Sequence, residues 1–229
     1  MSDTDSFINE VSEEVRRDRL FGLMRRYGWI AVLAVLLLVG GAAYNEWRKA
    51  NERAAAEALG DGILAALEQD EAEARVTALQ AIDAPDPSAD AVVTLLAAGE
   101  SLGSDPKATA EALVALAERG DVPMVYRQIA TLKAAAIGEE GLAAETRREL
   151  LDGLALGTGT IRVLAEEQLA YLDIETGNQE AALTRLEALY VDAEASEGLR
   201  QRVGQIVLAL GGELSGEAAS DVARQADGG

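Results

Sequence analysis

Apolar residues are distributed along this chain in two regimes. From Tyr27 to Asn45 the run YGWIAVLAVLLLVGGAAYN carries no charge over nineteen residues. A helix of about 20 apolar residues spans the roughly 30 Å hydrocarbon core of a bilayer. Tyr27 and Trp29 stand at one end of the run, Tyr44 and Trp47 at the other. Amphipathic rings at both ends form the belt expected at headgroup level. The twenty steps from Tyr27 to Trp47 rise about 30 Å as a helix. The pattern therefore predicts a membrane helix over residues 27–47.

Beyond the span apolar residues recur three and four apart, which is the helical period. No Gly or Pro interrupts the chain between Tyr44 and Gly60, so the helix is expected to continue outward. Leu59, Ile63, Ala66 and Leu67 then share one face. Breaks rich in Gly, Pro, Asp and Asn fall near residues 69–72, 83–88, 103–107, 119–123, 138–141, 157–160, 177–179, 193–198 and 211–216. The segments between them are helix-sized, and few alternate as strands do. Ile161, Leu164, Ala165, Leu169 and Leu172 share one helical face, and Ala182, Leu183, Leu186, Leu189 and Tyr190 another. Ser88 is expected to cap one helix and Thr160 another. Met124, Tyr126 and Ile129 are expected in the core. The predicted class is all-α: one transmembrane helix, then a periodic array of about five helix pairs. The expected parts are residues 1–26, the span 27–47, a helical domain 48–214 and a tail 215–229.

Orientation follows from positive charge. Arg16, Arg17, Arg19, Arg25 and Arg26 precede the span, whereas only Arg48, Lys49 and Arg53 lie just after it. The side richer in Lys and Arg stays in the cytoplasm. A cleaved signal peptide is the rival reading, because Gly41-Ala42-Ala43 resembles a small-residue cleavage site. The region before the run is too long and acidic for one, with six Asp and Glu in 26 residues. The five arginines either dock a partner or only set topology.

Composition narrows the chemistry. Net charge is −20, and removing residues 1–45, with five Arg and six acids, leaves 15 bases against 34 acids. Such a surface repels nucleic acid, which is bound through clustered Lys and Arg. It also repels anionic headgroups and favours solubility or cationic partners. The chain has no Cys and no His. Disulfides, thiolate zinc sites and Ser-His or Cys-His nucleophile pairs are therefore excluded. Carboxylate chemistry remains conceivable, but the acids are scattered, and no catalytic, metal or cofactor site is expected. Gly157-Thr158-Gly159-Thr160 lacks the Lys and the preceding strand of a phosphate loop, and is expected to be a turn.

Short helices joined by short turns suggest a hairpin array. The clearest unit is Leu169-Ala170, Gly177-Asn178, Ala182 and Leu186. It resembles a tetratricopeptide repeat, with Glu166, Asp173 and Glu194 departing from that pattern. Weaker units are Leu96-Ala97 with Ala112 and Leu116, and Ile129-Ala130 with Gly138. The small residues Ala97, Ala130 and Ala170 recur at intervals of 33 and 40. The stretch INEVSEEVRRDRLFGLMRRYG, the span, the continuation YNEWRKANERAAAEAL and the repeats resemble the single-pass bacterial tetratricopeptide-repeat-like ancillary subunits of the SecYEG translocon. The resemblance is to their alphaproteobacterial branch. It implies a non-enzymatic, chaperone-like scaffold in the periplasm, anchored in the inner membrane. Its implied partners are other membrane subunits, periplasmic proteins and the lipid bilayer. An accessory or assembly subunit of a respiratory or cell-division complex would show the same layout. Partners are expected along a face built from the helices near 91–101, 124–136 and 161–175.

Overall fold

The computed structural model describes residues 3–214. Nine α-helices and no strands occur among the described residues. The long helix α1 covers Asp3–Leu67. It is followed by α2 (Ala72–Gln80), α3 (Pro87–Ser101), α4 (Pro106–Glu118) and α5 (Met124–Ala136). Then come α6 (Ala144–Ala155), α7 (Gly159–Glu175), α8 (Gln179–Tyr190) and α9 (Glu197–Ala209). The chain divides into two compact units, residues 1–58 and residues 59–229.

In the first unit, α1 is long and apolar enough to cross a membrane: its most apolar stretch has a mean hydropathy of 1.9, and none of that stretch is buried. Tyr27, Trp29, Tyr44 and Trp47 are all exposed. The Tyr44 and Trp47 rings lie 6.1 Å apart, centroid to centroid. Gly40 and Gly41 do not break the helix.

The second unit begins with the last turns of α1. Leu59, Ile63, Ala66 and Leu67 pack on Leu79 of α2 and on Val93 and Ala97 of α3, as the stripe predicted. Each later helix packs on its neighbours in sequence, and α3, α5 and α7 also meet in series. The helices expected to form one face thus touch one another in order.

The eight helices form two equivalent halves. Helices α2 and α3 begin at Ala72 and Pro87, and α6 and α7 begin 72 residues later, at Ala144 and Gly159. Helices α4 and α5 begin at Pro106 and Met124, and α8 and α9 begin 73 residues later, at Gln179 and Glu197. Burial repeats with the same offsets. Leu79, Ala91, Val93, Ala97 and Ala98 correspond to Leu151, Val163, Ala165, Leu169 and Ala170, and all ten are buried. Leu113, Leu116, Val122, Ala130 and Ala134 correspond to Leu186, Leu189, Ala195, Val203 and Val207, again all buried. Gly138 and Gly211 close α5 and α9 with φ near +87° and +82°. That backbone carries a steric cost for any side chain, so glycine occupies both.

This equivalence corrects the repeat register. Leu169-Ala170 matches Ala97-Ala98, not Leu96-Ala97, and Leu186 matches Leu113, not Leu116. Ala112 is exposed and takes no part in the packing. Within the predicted unit, Leu169, Ala170, Ala182 and Leu186 are each fully buried, and Gly177 ends α7 at φ +80°. Two caps also move. Asp86, not Ser88, caps α3, accepting from the Ser88 and Ala89 N–H groups at 2.8 and 3.0 Å, with Pro87 at the first helical position. Thr158, not Thr160, precedes α7, and its side chain makes no capping bond. Met124 is 68% exposed at the start of α5, outside the core expected for it, while Tyr126 packs against the first-half cluster.

The halves exchange bulk at one contact. Tyr190 at the end of α8 packs where Gly204 of α9 leaves room: a Cβ on Gly204 would lie 3.1 Å from the Tyr190 ring. In the first half Ala117 and Thr131 hold these two positions. Gly204→Thr is expected to overpack the contact and cost about 1–3 kcal/mol in thermal or urea unfolding. Added to Tyr190→Ala, the same substitution should cost clearly less than it does alone. Additive losses would show that the two residues do not share a contact.

Candidate functional site

The polar architecture of the second unit is dominated by arginine. Where a hairpin meets its neighbour, a guanidinium from one helix end reaches a carboxylate on another. Arg75, in the first turn of α2, donates from Nε to Glu100 of α3 at 2.6 Å and from one terminal nitrogen to the Gln69 and Asp70 carbonyls. Arg147, the equivalent residue of α6, donates to Glu175 of α7 at 2.8 Å and to the Leu142 carbonyl. Each arginine thus ties the turn before its helix to the end of the next helix. Arg147 is 4% exposed, which is tolerable for a charge only with this complete set of acceptors.

At the opposite helix ends the two halves carry the same pair with the signs exchanged. Asp90 of α3 pairs with Arg119 after α4, and Arg119 also pairs with Asp121. At the equivalent positions Arg162 of α7 pairs with Asp192 after α8 at 2.6 Å and with Glu194 at 2.8 Å. Glu194 also accepts from the Gly159 N–H at 2.9 Å. The amide and the arginine that could have served an anion in the Gly157–Thr160 turn are thereby taken by a carboxylate of the chain itself.

Two buried carboxylates lie on α7. Glu167, 5% exposed, accepts two bonds from Arg202 of α9 at 2.6 and 2.9 Å and a third from the Tyr171 hydroxyl at 2.6 Å. Asp173, 3% exposed, is met from both sides, by Arg148 of α6 at 2.6 Å and by Arg185 of α8 at 3.4 Å. Arg185 also pairs with Glu166. Carboxylates paired in this way hold helices together. Among the described residues no group of three or more Asp or Glu is placed to hold a metal ion. Sequence reasoning saw Glu166, Asp173 and Glu194 only as departures from a repeat pattern. The signal available was the excess of arginine, at 148, 162, 185 and 202, in the same half as these acids.

Two clefts of several hundred Å³ open on this unit. The first, about 540 Å³, is walled by α2 and α4 and floored by α3. The second, about 920 Å³, opens along α7 and α8 beside Arg162 and Arg185. Of the expected membrane-side residues, Arg25 and Arg26 are exposed, and Arg26 sits over the Tyr27 ring at 5.9 Å. The side chains of Arg16, Arg17 and Arg19 lie outside the described residues, as does the segment 215–229.

Comparison with protein-family models, curated proteins and solved structures finds no match to this chain.

The ion pairs set an expected pH profile. Arg147 holds the Glu175 carboxyl below its usual range. The Glu194 N–H and then Arg162 do the same for Asp192. A depressed acid stabilises the fold above its unfolded value and loses that contribution as pH falls through the folded one. Burial, and then the neighbouring Glu167, push the Tyr171 phenol up to about 12. A raised group contributes fully below its unfolded value, about 10, and loses that contribution as pH rises towards 12. Thermal stability is therefore expected to drop below about pH 4 and again above about pH 10. Tyr171→Phe should remove much of the alkaline drop. An alkaline limb unchanged in that variant would assign the loss to other groups.

Proposed function

We propose that this protein is a single-pass protein of the bacterial inner membrane, with a cytoplasmic N-terminus and a periplasmic helical unit. In this reading the unit is a tetratricopeptide-repeat-like scaffold, a non-enzymatic, chaperone-like adaptor at the Sec translocon. The observation that carries the proposal is helix α1. None of its apolar stretch is buried, aromatics stand at both ends, and the same helix supplies the first packing stripe of the stack. An apolar stretch of that length matches the hydrocarbon core of a bilayer. The five-to-three excess of Lys and Arg ahead of the span supports the orientation.

Several features support the scaffold reading. Small residues, Ala98 and Ala170, sit at equivalent helix contacts, and Gly177 closes the helix that carries the second. Stacked helical pairs of this kind present extended surfaces that commonly hold other proteins. The buried carboxylates are spent on arginines, which supports binding over catalysis. The translocon as partner rests on the resemblance of residues 8–28, the span and the repeats.

The test is purification of the full-length protein in mild detergent, with mass spectrometry of the co-purifying chains. Stoichiometric translocon subunits with periplasmic folding factors are expected. A stoichiometric respiratory or division complex in their place would overturn the translocon assignment in favour of an accessory or assembly subunit.

A further inference from the structure

The equivalence of the two halves exposes a difference between them. In the second half, Arg148 of α6 and Arg185 of α8 reach over α7 from opposite sides and meet on Asp173, with Glu166 alongside. These four side chains bridge the gap between α6 and α8. In the first half the equivalent positions are Val76, Ala112, Ser101 and Thr94. None of the four can form an ion pair, and all four line the open cleft of about 540 Å³ between α2 and α4.

The charge around this cleft is one-sided. Glu73, Asp90 and Asp105 line it, and no lining residue is cationic. Glu73 is exposed at the wall formed by α2, Asp90 shares its charge with Arg119, and Asp105 caps α4 through the Ala108 N–H. The floor and walls combine short apolar side chains with hydroxyls. Ser101 and Thr109 are hydrogen-bonded to each other at 2.8 Å. A surface with small apolar side chains, hydroxyl acceptors and a negative rim suits an extended chain bearing a long cationic side chain. Such a side chain can lay its methylenes on the alanines and its charge among the acids. The second half shows what fits between its own flanking helices: two guanidiniums over a carboxylate.

We propose that the first-half cleft binds an arginine- or lysine-bearing extended segment of another polypeptide. It fills the space that the second half fills with its own Arg148 and Arg185. The proposal rests on the scaffold reading above and names the chemistry of what that scaffold holds. Two further features carry less. The cleft along α7 and α8 has both of its arginines already paired, and the small apolar hollow between α3 and α5 has nothing to indicate an occupant.

The test is fluorescence anisotropy on the full-length protein in detergent micelles. The ligand is a short labelled peptide with two arginines in an alanine and serine background, and its counterpart has glutamine at both positions. The arginine peptide is expected to bind at least about tenfold more tightly. The decisive variant combines Val76→Arg, Thr94→Glu, Ser101→Asp and Ala112→Arg. It installs the bridge of the second half and leaves net charge unchanged, so a loss of binding cannot come from weaker bulk attraction. Loss of most of the affinity, with the circular-dichroism melting curve retained, is the expected result. Should that variant fold poorly, Glu73→Lys at the rim is compared with Glu187→Lys on α8, which makes the same charge change outside the cleft. Only Glu73→Lys should weaken binding by more than about threefold. Equal affinity for both peptides, an unaffected bridged variant, or equal losses in the two lysine variants would overturn the proposal. Those results beside stoichiometric partners in the purification would remove the cleft and leave the scaffold. Selective peptide binding with no co-purifying protein would keep the cleft and remove the scaffold.

Discussion

A two-helix hairpin has no interior of its own, and the second unit of this protein is shaped by that constraint. Each pair has an apolar stripe on more than one side, and the stripes are buried only when the next pair stacks against them. Many of the buried residues are accordingly alanine or leucine: Ala91, Ala97, Ala98, Ala110, Ala130 and Ala134 in the first half, Ala165, Leu169, Ala170, Ala182 and Leu186 in the second. Alanine brings helix axes together at little side-chain entropy cost, and it is the best helix former. A chain this poor in aromatics can build a core only through such close approach. The two halves reach the same packing by exchange at matched positions: a tyrosine and a glycine for an alanine and a threonine, an arginine over an aspartate for an aspartate under an arginine.

Arginine does the polar work. Outside the span and its leading segment the chain has 34 acids against 15 bases, so acid–acid repulsion opposes compaction. The arginines join helices, and Arg75 and Arg147 each satisfy a carboxylate and a turn carbonyl with one planar group. Removing Arg202 from its pair with the buried Glu167 would leave a stranded charge, which costs more than the pair itself contributes. The same economy explains the acidic first-half cleft. Its acids meet few cations from their own chain, which is why a partner's cation is the natural complement.

Much of the fold was legible in the sequence. The uncharged run, the helical period and the Gly, Pro and Asp breaks located every helix of the stack to within a few residues. Gly177 ended its helix as expected. The register of the repeat was not legible, because Ala97 and Ala98 are adjacent and either can stand as the small residue of the unit. Only burial decides between them. The 72-residue repeat was hidden as well. Ala72-Glu73 and Arg75 recur as Ala144-Glu145 and Arg147, but most buried positions keep size and lose identity. Asp86 took the cap from Ser88 because Pro87 begins the helix one residue before the serine. The ion pairs of Glu166, Asp173 and Glu194 join residues 12 to 32 positions apart, beyond the reach of any local pattern, and so these acids read as defects until their arginines appeared beside them.

The claim on which the functional account turns is that α1 crosses a bilayer with the helical stack on the outer side. The chain has no cysteine, so single cysteines can be read without background. Thr184→Cys, exposed on α8, and Ser6→Cys, ahead of the span, would be treated with a membrane-impermeant maleimide in spheroplasts and again after lysis. The account predicts labelling of Thr184→Cys in intact spheroplasts and of Ser6→Cys only after lysis. The reverse pattern, or recovery of the protein in the soluble fraction, would contradict it.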